Sequence, residues 1–302
     1  MGAIVLGFAA DRVLGDPRRL HPVAGFGLVA VWLQRWAWRP QRAAGAIYAV
    51  ALTASVWAIV AAGSRALPPR ARTALGAVIL WATLGGRSLE RIALALRDSL
   101  ERGDLQRARS LAPALVGRDP SLLDAGELAR AAVESVAENT SDAVVAPLLW
   151  MAVFGPAGAA CYRAINTLDA MVGHRNERHR RFGWASARLD DAANWIPARA
   201  TALLAIALAQ GRRRAAWRAA FVDGRRHPSP NAGRVEGAFA GALGLRLGGE
   251  NRYAHGIERR PALGDGVAPR TADIERAVAL ARRVSMAAAM TAAVAARAGA
   301  CA

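Results

Sequence analysis

Three acidic residues recur at intervals of four in the segment GELARAAVESVAENTSD: Glu134, Glu138 and Asp142. On a continuous helix they share one face. Like charges stacked in this way repel by roughly 0.2–0.5 kcal/mol per pair, and a bound cation relieves that repulsion. Carboxylate and amide oxygens are the donors that Mg²⁺ prefers, and Asn139 offers one more beside them. The alternative is a solvated helix face, with Arg130 four residues before Glu134 as an ordinary ion-pair partner. A second polar group follows in CYRAINTLDAMVGHRNERHRRFGWASARLDDAANWIPAR. There Asn166, Asp169 and Gly173 fall on one helical face, with Arg163 a turn earlier, and Asp190, Asp191 and Asn194 crowd the turn before Pro197. Polar side chains beside membrane-level segments are costly unless they meet partners or substrates. His174 and His179 are five apart, a poor metal spacing on a helix, and read as surface residues of a basic stretch.

A third group is HPSPNAGRVEGAFAGALGLRLGG. Pro228 and Pro230 fix a rigid turn that carries His227, Ser229 and Asn231 into a helix. Such a turn presents free N–H groups to an anion such as phosphate. Gly237, Gly241 and Gly244 give the helix a small-residue stripe suited to close packing, within the chain or between chains. Gly248-Gly249 is expected to end it. Near the N-terminus, Asp11-Arg12 and Gly15–Val23 form a comparable polar elbow.

The elements that position these groups follow from composition. Hydrophobic residues make up 54% of 302 positions, yet the chain carries 40 basic residues and a formal charge of +17. Every basic position apart from His is Arg. A Walker-type phosphate loop needs Lys and Schiff-base catalysis needs a Lys amine, so both are excluded. The arginines are dispersed among Ala-rich helices without aromatic interleaving, which argues against nucleic acid and for a positive-inside bias in cytoplasmic loops. The two cysteines, Cys161 and Cys301, have no metal-ligand spacing. The sequon at Asn139 reads as helix-end chemistry. The first ten residues are apolar but lack a basic flank, and read as part of the mature fold rather than a signal peptide.

Ala43–Gly63 is charge-free and, at about 1.5 Å per residue, long enough to cross a hydrocarbon core of roughly 30 Å. Thr73–Gly86, Ala143–Tyr162 and Val284–Ala296 are further apolar stretches. Between them lie polar segments at about 87–142, 163–195 and 211–283, all rich in Arg, so the charge rule puts all three in the cytoplasm. Simple alternation of spans forbids that. Pro147 and the stretch Phe154–Gly158 break Ala143–Tyr162 into two pieces, and Ala198–Gln210 is short and contains Arg199. Both are expected to be re-entrant or interfacial hairpins, tolerated where backbone is buried in protein or lines a cavity. The expectation is therefore an all-α, polytopic integral membrane protein with broken or re-entrant helices and helical cytoplasmic segments, forming one membrane-embedded domain over 1–302. The helix leading to Glu134 is expected to be capped by Ser121 or Asp124.

The elements DRVLGDPRRLHPV, ESVAENTSD, YRAINTLDAMVGHRNERHRRFGWASARLDDAANWIPAR and HPSPNAG…GALGLRLGG occur here in one order. Together, from about Asp11 to Tyr253, they closely resemble the CbiB/CobD-type family of cobalamin biosynthesis, the adenosylcobinamide-phosphate synthases. The resemblance implies a cell-membrane enzyme that joins (R)-1-aminopropan-2-ol, or its O-phosphate, to the free carboxylate of adenosylcobyric acid, with ATP and Mg²⁺ as cofactors. In that frame Glu134, Glu138 and Asp142 are expected to hold Mg²⁺–nucleotide. Asp169, Asp190 and Asp191 are catalytic candidates, as a second metal contact or as the base that deprotonates the incoming ammonium. Arg163 and the turn bearing His227, Ser229 and Asn231 are candidates for phosphate, and Asn166, Asn194 and Asn231 for the corrinoid amides. Expected partners are the corrinoid, the amine, membrane lipid and a second copy of the chain or other cobalamin-pathway enzymes, with no nucleic acid. Two positions depart from the family pattern: Ala143 stands where Gly is expected, and Arg234-Val235 replaces Trp-Pro. A corrinoid or small-cation transporter, or a membrane scaffold for pathway enzymes, are the alternatives. No convincing internal repeat supports the transporter.

Overall fold

The computed structural model describes residues 1–16, 21–115, 120–121, 123–173, 177–253 and 256–298. In chain order the helices are α1 (Gly2–Leu14), α2 (Pro22–Ala37), α3 (Arg42–Arg65), α4 (Pro69–Thr83), α5 (Gly86–Glu101), α6 (Leu105–Leu111) and α7 (Ala125–Thr140). They continue as α8 (Ala146–Val172), α9 (Trp184–Ala193), α10 (Trp195–Leu208), α11 (Arg213–Phe221), α12 (Ala232–Leu243) and α13 (Thr271–Ala298). A hairpin of β1 (Leu247–Tyr253) and β2 (Gly256–Leu263) is the small β element in an otherwise helical protein. Arg42–Arg65, Ala125–Val172 and Thr271–Ala298 are long and apolar enough to cross a membrane. Contacts gather the chain into two compact units, one of Met1–Gly85, Asp142–Trp195 and Ala289–Ala302, the other of Gly86–Ser141 and Ile196–Ala288.

In the first unit, backbones approach where side chains are absent. A Cβ at Gly7 would lie 2.8 Å from the Ala77 carbonyl oxygen, so α1 and α4 pack tightly there. A Cβ at Gly45 would lie 1.8 Å from the carbonyl oxygen of Phe182. Around that contact Tyr48, Ala49, Leu52, Leu168, Val172 and Phe182 form a core, and the Tyr48 hydroxyl donates to Ala30 O at 2.9 Å. The outer faces of α1, α2 and α3 carry Val5, Leu6, Leu28, Trp32, Trp36, Ile47 and Ile59 exposed. So many large apolar side chains exposed on three helices are poor in water and natural in lipid. His179 departs from the surface reading: its Nε2 lies 2.9 Å from Gln34 Nε2, tying its loop to α2.

The apolar run after α7 is broken twice. Residues Ser141–Val145 form a π-helical turn, and Gly155 interrupts α8 with φ 68° and ψ −160°, followed by Pro156. The break thus falls within the expected Phe154–Gly158 stretch. Pro147 follows directly on the π turn, and the Ala143 carbonyl four residues before it, which a proline has no N–H to reach, accepts from Gly85 N at 3.0 Å instead.

In the second unit, Asp124 rather than Ser121 caps α7, in a reciprocal capping box with Glu127. The glycine stripe of α12 packs within the chain: a Cβ at Gly237 would meet Ala219 O at 2.3 Å, and one at Gly241 would meet Ala216 Cα at 2.4 Å, both on α11. Gly244, left-handed at φ 72°, ends α12. The expectation that Gly248-Gly249 stops that helix is corrected. Both glycines belong to β1, where their positive φ values accommodate a register shift against β2.

Candidate functional site

In the first unit α8 and α9 bring the second polar group together. Tyr162, fully buried, lies with its hydroxyl 2.8 Å from Asn194 Oδ1 and 3.1 Å from the Asp142 carbonyl oxygen. A phenol has one proton. Donation to the Asp142 carbonyl, with the Asn194 amide turned to present its NH₂, satisfies both contacts, since amide orientation is assigned from such networks. Asn194 is 1% exposed and its other amide atom has no protein partner among the described residues. Next to it, Asn166 Nδ2 donates to Asp190 Oδ1 at 3.3 Å, and Arg163 Nη1 donates to Asn166 Oδ1 at 3.4 Å. Arg163 Nε is likewise buried without a partner among the described residues. The carboxylates of Asp142 and Asp190 and the guanidinium of Arg163 all lie within electrostatic reach of the phenol.

The structure therefore gathers Asp142, Arg163, Asn166, Asp190 and Asn194, all singled out by their types and spacing, around a residue that was not. Tyr162 precedes Arg163 in the same run, but the period of α8 alone does not say that its hydroxyl turns inward. Asp191 points to Arg188 at 3.7 Å. Asp169 folds over the end of its own helix, where a Cβ at Gly173 would lie 1.8 Å from Asp169 Oδ1. Only glycine leaves that carboxylate room. The substituted Ala143 is accommodated because Gly85 faces it: a Cβ there would lie 3.5 Å from the Ala143 methyl, and Gly85 N donates to Ala143 O at 3.0 Å.

In the second unit, Glu134 is buried and its Oε1 accepts from Gly248 N at 2.9 Å, while Arg130, one turn earlier on α7, donates to the Gly248 carbonyl. One residue of β1 is thus held through both its N–H and its carbonyl. Glu138 is half-buried, and Asn139 donates back to Ser135 O at 3.0 Å. The four-residue rhythm reaches Asp142 where α7 loosens into the π turn. Among the described residues, no group of three or more His, Cys, Asp or Glu side chains forms a metal cage.

The HPSPN turn is internally bonded. His227 Nδ1 accepts from Ser229 N at 3.1 Å, and Ser229 Oγ accepts from Asn231 N at 3.3 Å and Ala232 N at 3.1 Å. Behind it His227 Nε2 and Arg260 Nη1 stand 4.0 and 3.9 Å from the buried Glu236 carboxylate. In front of it Arg199 Nη1 donates to Asn231 Oδ1 at 3.4 Å. Arg234 lies within electrostatic reach of both Arg199 and Arg225. Burial, and then Arg225, push the Arg234 guanidinium below its ordinary range, because the positive charge is poorly solvated and repelled. Such a cationic cluster suits an anion. Residues 17–20 of the N-terminal elbow, His174 and Cys301 lie outside the described residues.

Apolar outer faces, a broken apolar helix and a buried amide–phenol–carboxylate cluster beside it are the features of a helical membrane protein. The chain belongs to the CobD/Cbib protein family, whose model matches residues 4–281. It is 52% identical over 293 residues to the "Cobalamin biosynthesis protein CobD" of Mycobacterium tuberculosis, covering 96% of this chain and 93% of that one. A protein of the same name from Geobacter metallireducens is 45% identical over 280 residues, with 89% and 88% coverage. One from Chromobacterium violaceum is 43% identical over 286 residues, with 90% and 89% coverage. No solved structure matches the chain.

Proposed function

We propose that the chain is a membrane enzyme of cobalamin biosynthesis that converts adenosylcobyric acid to adenosylcobinamide or its phosphate. It does so by forming an amide between the free corrinoid carboxylate and (R)-1-aminopropan-2-ol or its O-phosphate. The observation that carries this reading is membership of the CobD/Cbib family along nearly the whole chain, with relatives named for cobalamin biosynthesis. The buried polar cluster supports it. A corrinoid is edged with amides, and Asn194 and Asn166 offer amide donors and acceptors, while Arg163 offers a guanidinium to a carboxylate or phosphate.

ATP supplies what the reaction lacks in water, activation of a carboxylate whose oxygen departs with phosphate as the C–N bond forms. In this reading Glu134, Glu138 and Asp142 would hold Mg²⁺–nucleotide, because Mg²⁺ takes hard oxygen ligands, usually one or two carboxylates with phosphates and water completing its shell, and Glu138 and Asp142 are half-buried carboxylates four residues apart in the sequence. Glu134 also holds β1, through its bond from Gly248 N. Arg199, Arg225 and Arg234 suit the phosphate of the nucleotide or of the amine substrate. The incoming ammonium must lose a proton before nitrogen can attack. We assign that step to Asp190, whose Oδ1 accepts from Asn166 Nδ2, with Asp169 and Asp191 as the other candidates. The polar segments are read as cytoplasmic from their arginine content.

The test is turnover by the purified full-length protein in nanodiscs with adenosylcobyric acid, ATP, Mg²⁺ and either amine, read by mass spectrometry. An ATP-dependent product heavier by one amide-linked unit is expected, and its mass identifies the amine. No product from either amine, with corrinoid binding intact and a control synthase active, overturns the reading.

A further inference from the structure

The second unit contains a cavity of about 300 Å³ lined by Leu208, Arg212, Leu243, Arg276, Leu280 and Arg283 among others. Arg276 is engaged with Asp273 at 2.5 Å and with Leu243 O at 2.7 Å. Arg212 lies across the end of α12, where a Cβ at Gly244 would come 2.6 Å from its Cζ. Among the described residues Arg283 makes a single long bond, 3.4 Å, to Ala279 O of its own helix. Among the described residues neither Arg212 nor Arg283 has a carboxylate partner. Three guanidinium groups, one of them engaged by the neighbouring Asp273, leave the cavity strongly positive, and Leu208, Leu243 and Leu280 share its lining.

The segments that supply these arginines, the turn after α10 and the first half of α13, adjoin apolar helix faces. The outward face of α10 is apolar at Ile196 and Leu203, and the chain turns basic just after it, at Arg212, Arg213 and Arg214. On α13 the order is reversed. Its exposed stripe runs from Arg276 through Arg283 to Met286, Met290 and Val294. α11, which follows the basic turn, exposes Arg213, Arg214 and Arg218 beside Trp217, with Trp217 stacked on Phe221 at 4.5 Å. Arginine and tryptophan together at the end of apolar segments mark a water–hydrocarbon boundary.

We propose that this cavity is a binding site for the phosphate headgroup of an anionic phospholipid, with the acyl chains lying along the apolar continuations of α10 and α13. Basic pockets at the polar ends of membrane helices recognise such headgroups by charge and hydrogen bonding. Arg212 and Arg283 are the binding groups, and Arg276 is held in place by Asp273. The site is independent of the amide-forming reaction, so the two readings fail separately.

The test uses the full-length protein in nanodiscs of phosphatidylcholine with a minority of phosphatidylglycerol, and native mass spectrometry counts the retained lipid. Wild type is expected to retain phosphatidylglycerol in preference to phosphatidylcholine. Arg212→Gln with Arg283→Gln is expected to weaken that retention about tenfold or more, at roughly a fivefold loss per charge. Both residues are exposed, so the fold should survive, and Arg283→Gln alone serves if the double variant does not express. Arg102→Gln, an exposed arginine away from the cavity, should leave retention unchanged. Equal loss in Arg102→Gln, or unchanged retention in the cavity variants, overturns the site. Displacement of the lipid by inorganic phosphate or ATP at comparable concentration reassigns it to a soluble phosphate and also overturns the proposal.

Discussion

The Tyr162 hydroxyl lies 2.8 Å from the side-chain oxygen of Asn194 and joins α8 to the residue that follows α9. Both side chains are buried, so the pair couples helix packing to the polar group around Asp142 and Asp190. Tyr162→Phe removes the hydroxyl and leaves a buried amide and the Asp142 carbonyl short of a partner. The expected cost is about 1–3 kcal/mol of stability, seen as earlier thermal unfolding in detergent. Asn194→Ala should cost a similar amount. If the amide also meets substrate, it should raise KM more than Tyr162→Phe does.

Gly45→Ala tests a close backbone approach in the α3 core. The added methyl would meet the Phe182 carbonyl at 1.8 Å, and a backbone carbonyl between packed elements cannot swing away as a side chain can. Destabilisation at or above about 1–3 kcal/mol is expected, read as loss of the folded monodisperse fraction on size-exclusion chromatography. Gly63→Ala, with open space around it, is the control and should behave as wild type.

Glu134 separates structure from chemistry. Glu134→Gln keeps an oxygen for the Gly248 N–H but loses the charge, whereas Glu134→Ala loses both. The alanine variant should be less stable by about 1–3 kcal/mol, while the glutamine variant should unfold near the wild-type temperature. If the Glu134 charge also serves the nucleotide metal, Glu134→Gln turnover should fall and recover in part at higher Mg²⁺. Unchanged turnover in Glu134→Gln confines the residue to holding β1.

Much of this architecture is written in local pattern. The charge-free run inside α3, the Asp124–Glu127 capping box and the break at Gly155 each depend on neighbours a few residues away. What was not legible depends on partners far along the chain. Glu134 is engaged by a residue 114 positions away, and its spacing from Glu138 and Asp142 says nothing of that. Gly248-Gly249 carries the same local signal whether it ends a helix or accommodates a strand bulge, and only pairing with β2 decides. Tyr162 reads as one more apolar residue of α8 until α9 brings Asn194 to its hydroxyl. The four-residue rhythm of the acids was real, but the π turn at Ser141–Val145 alters the register where the third acid falls.

Asp142→Asn probes the proposed metal contact directly. The substitution keeps the size of the side chain, and the backbone carbonyl that faces Tyr162 is untouched. Loss of one anionic ligand should raise the Mg²⁺ concentration needed for half-maximal turnover by about tenfold or more, the order found when a metal site is weakened. Chelation should abolish wild-type turnover and Mg²⁺ should restore it. An Asp142→Asn enzyme with an unchanged Mg²⁺ titration removes this residue from the metal site.

The break at Gly155 makes a topological prediction. If the apolar run after α7 turned back at Gly155-Pro156 instead of crossing, the segments before and after it would lie on the same side of the membrane, as their arginine content requires. Single cysteines at Arg109 and at Arg180, in a background with Cys161 and Cys301 replaced by alanine, report this with a membrane-impermeant thiol reagent. Labelling of both is expected in inverted vesicles and of neither in intact cells, as the cytoplasmic reading requires. Labelling from opposite sides would mean that Ala146–Val172 crosses despite its break. The charge rule would then fail for one of the flanking segments, and the glycine would be a kink within a span rather than the tip of a hairpin.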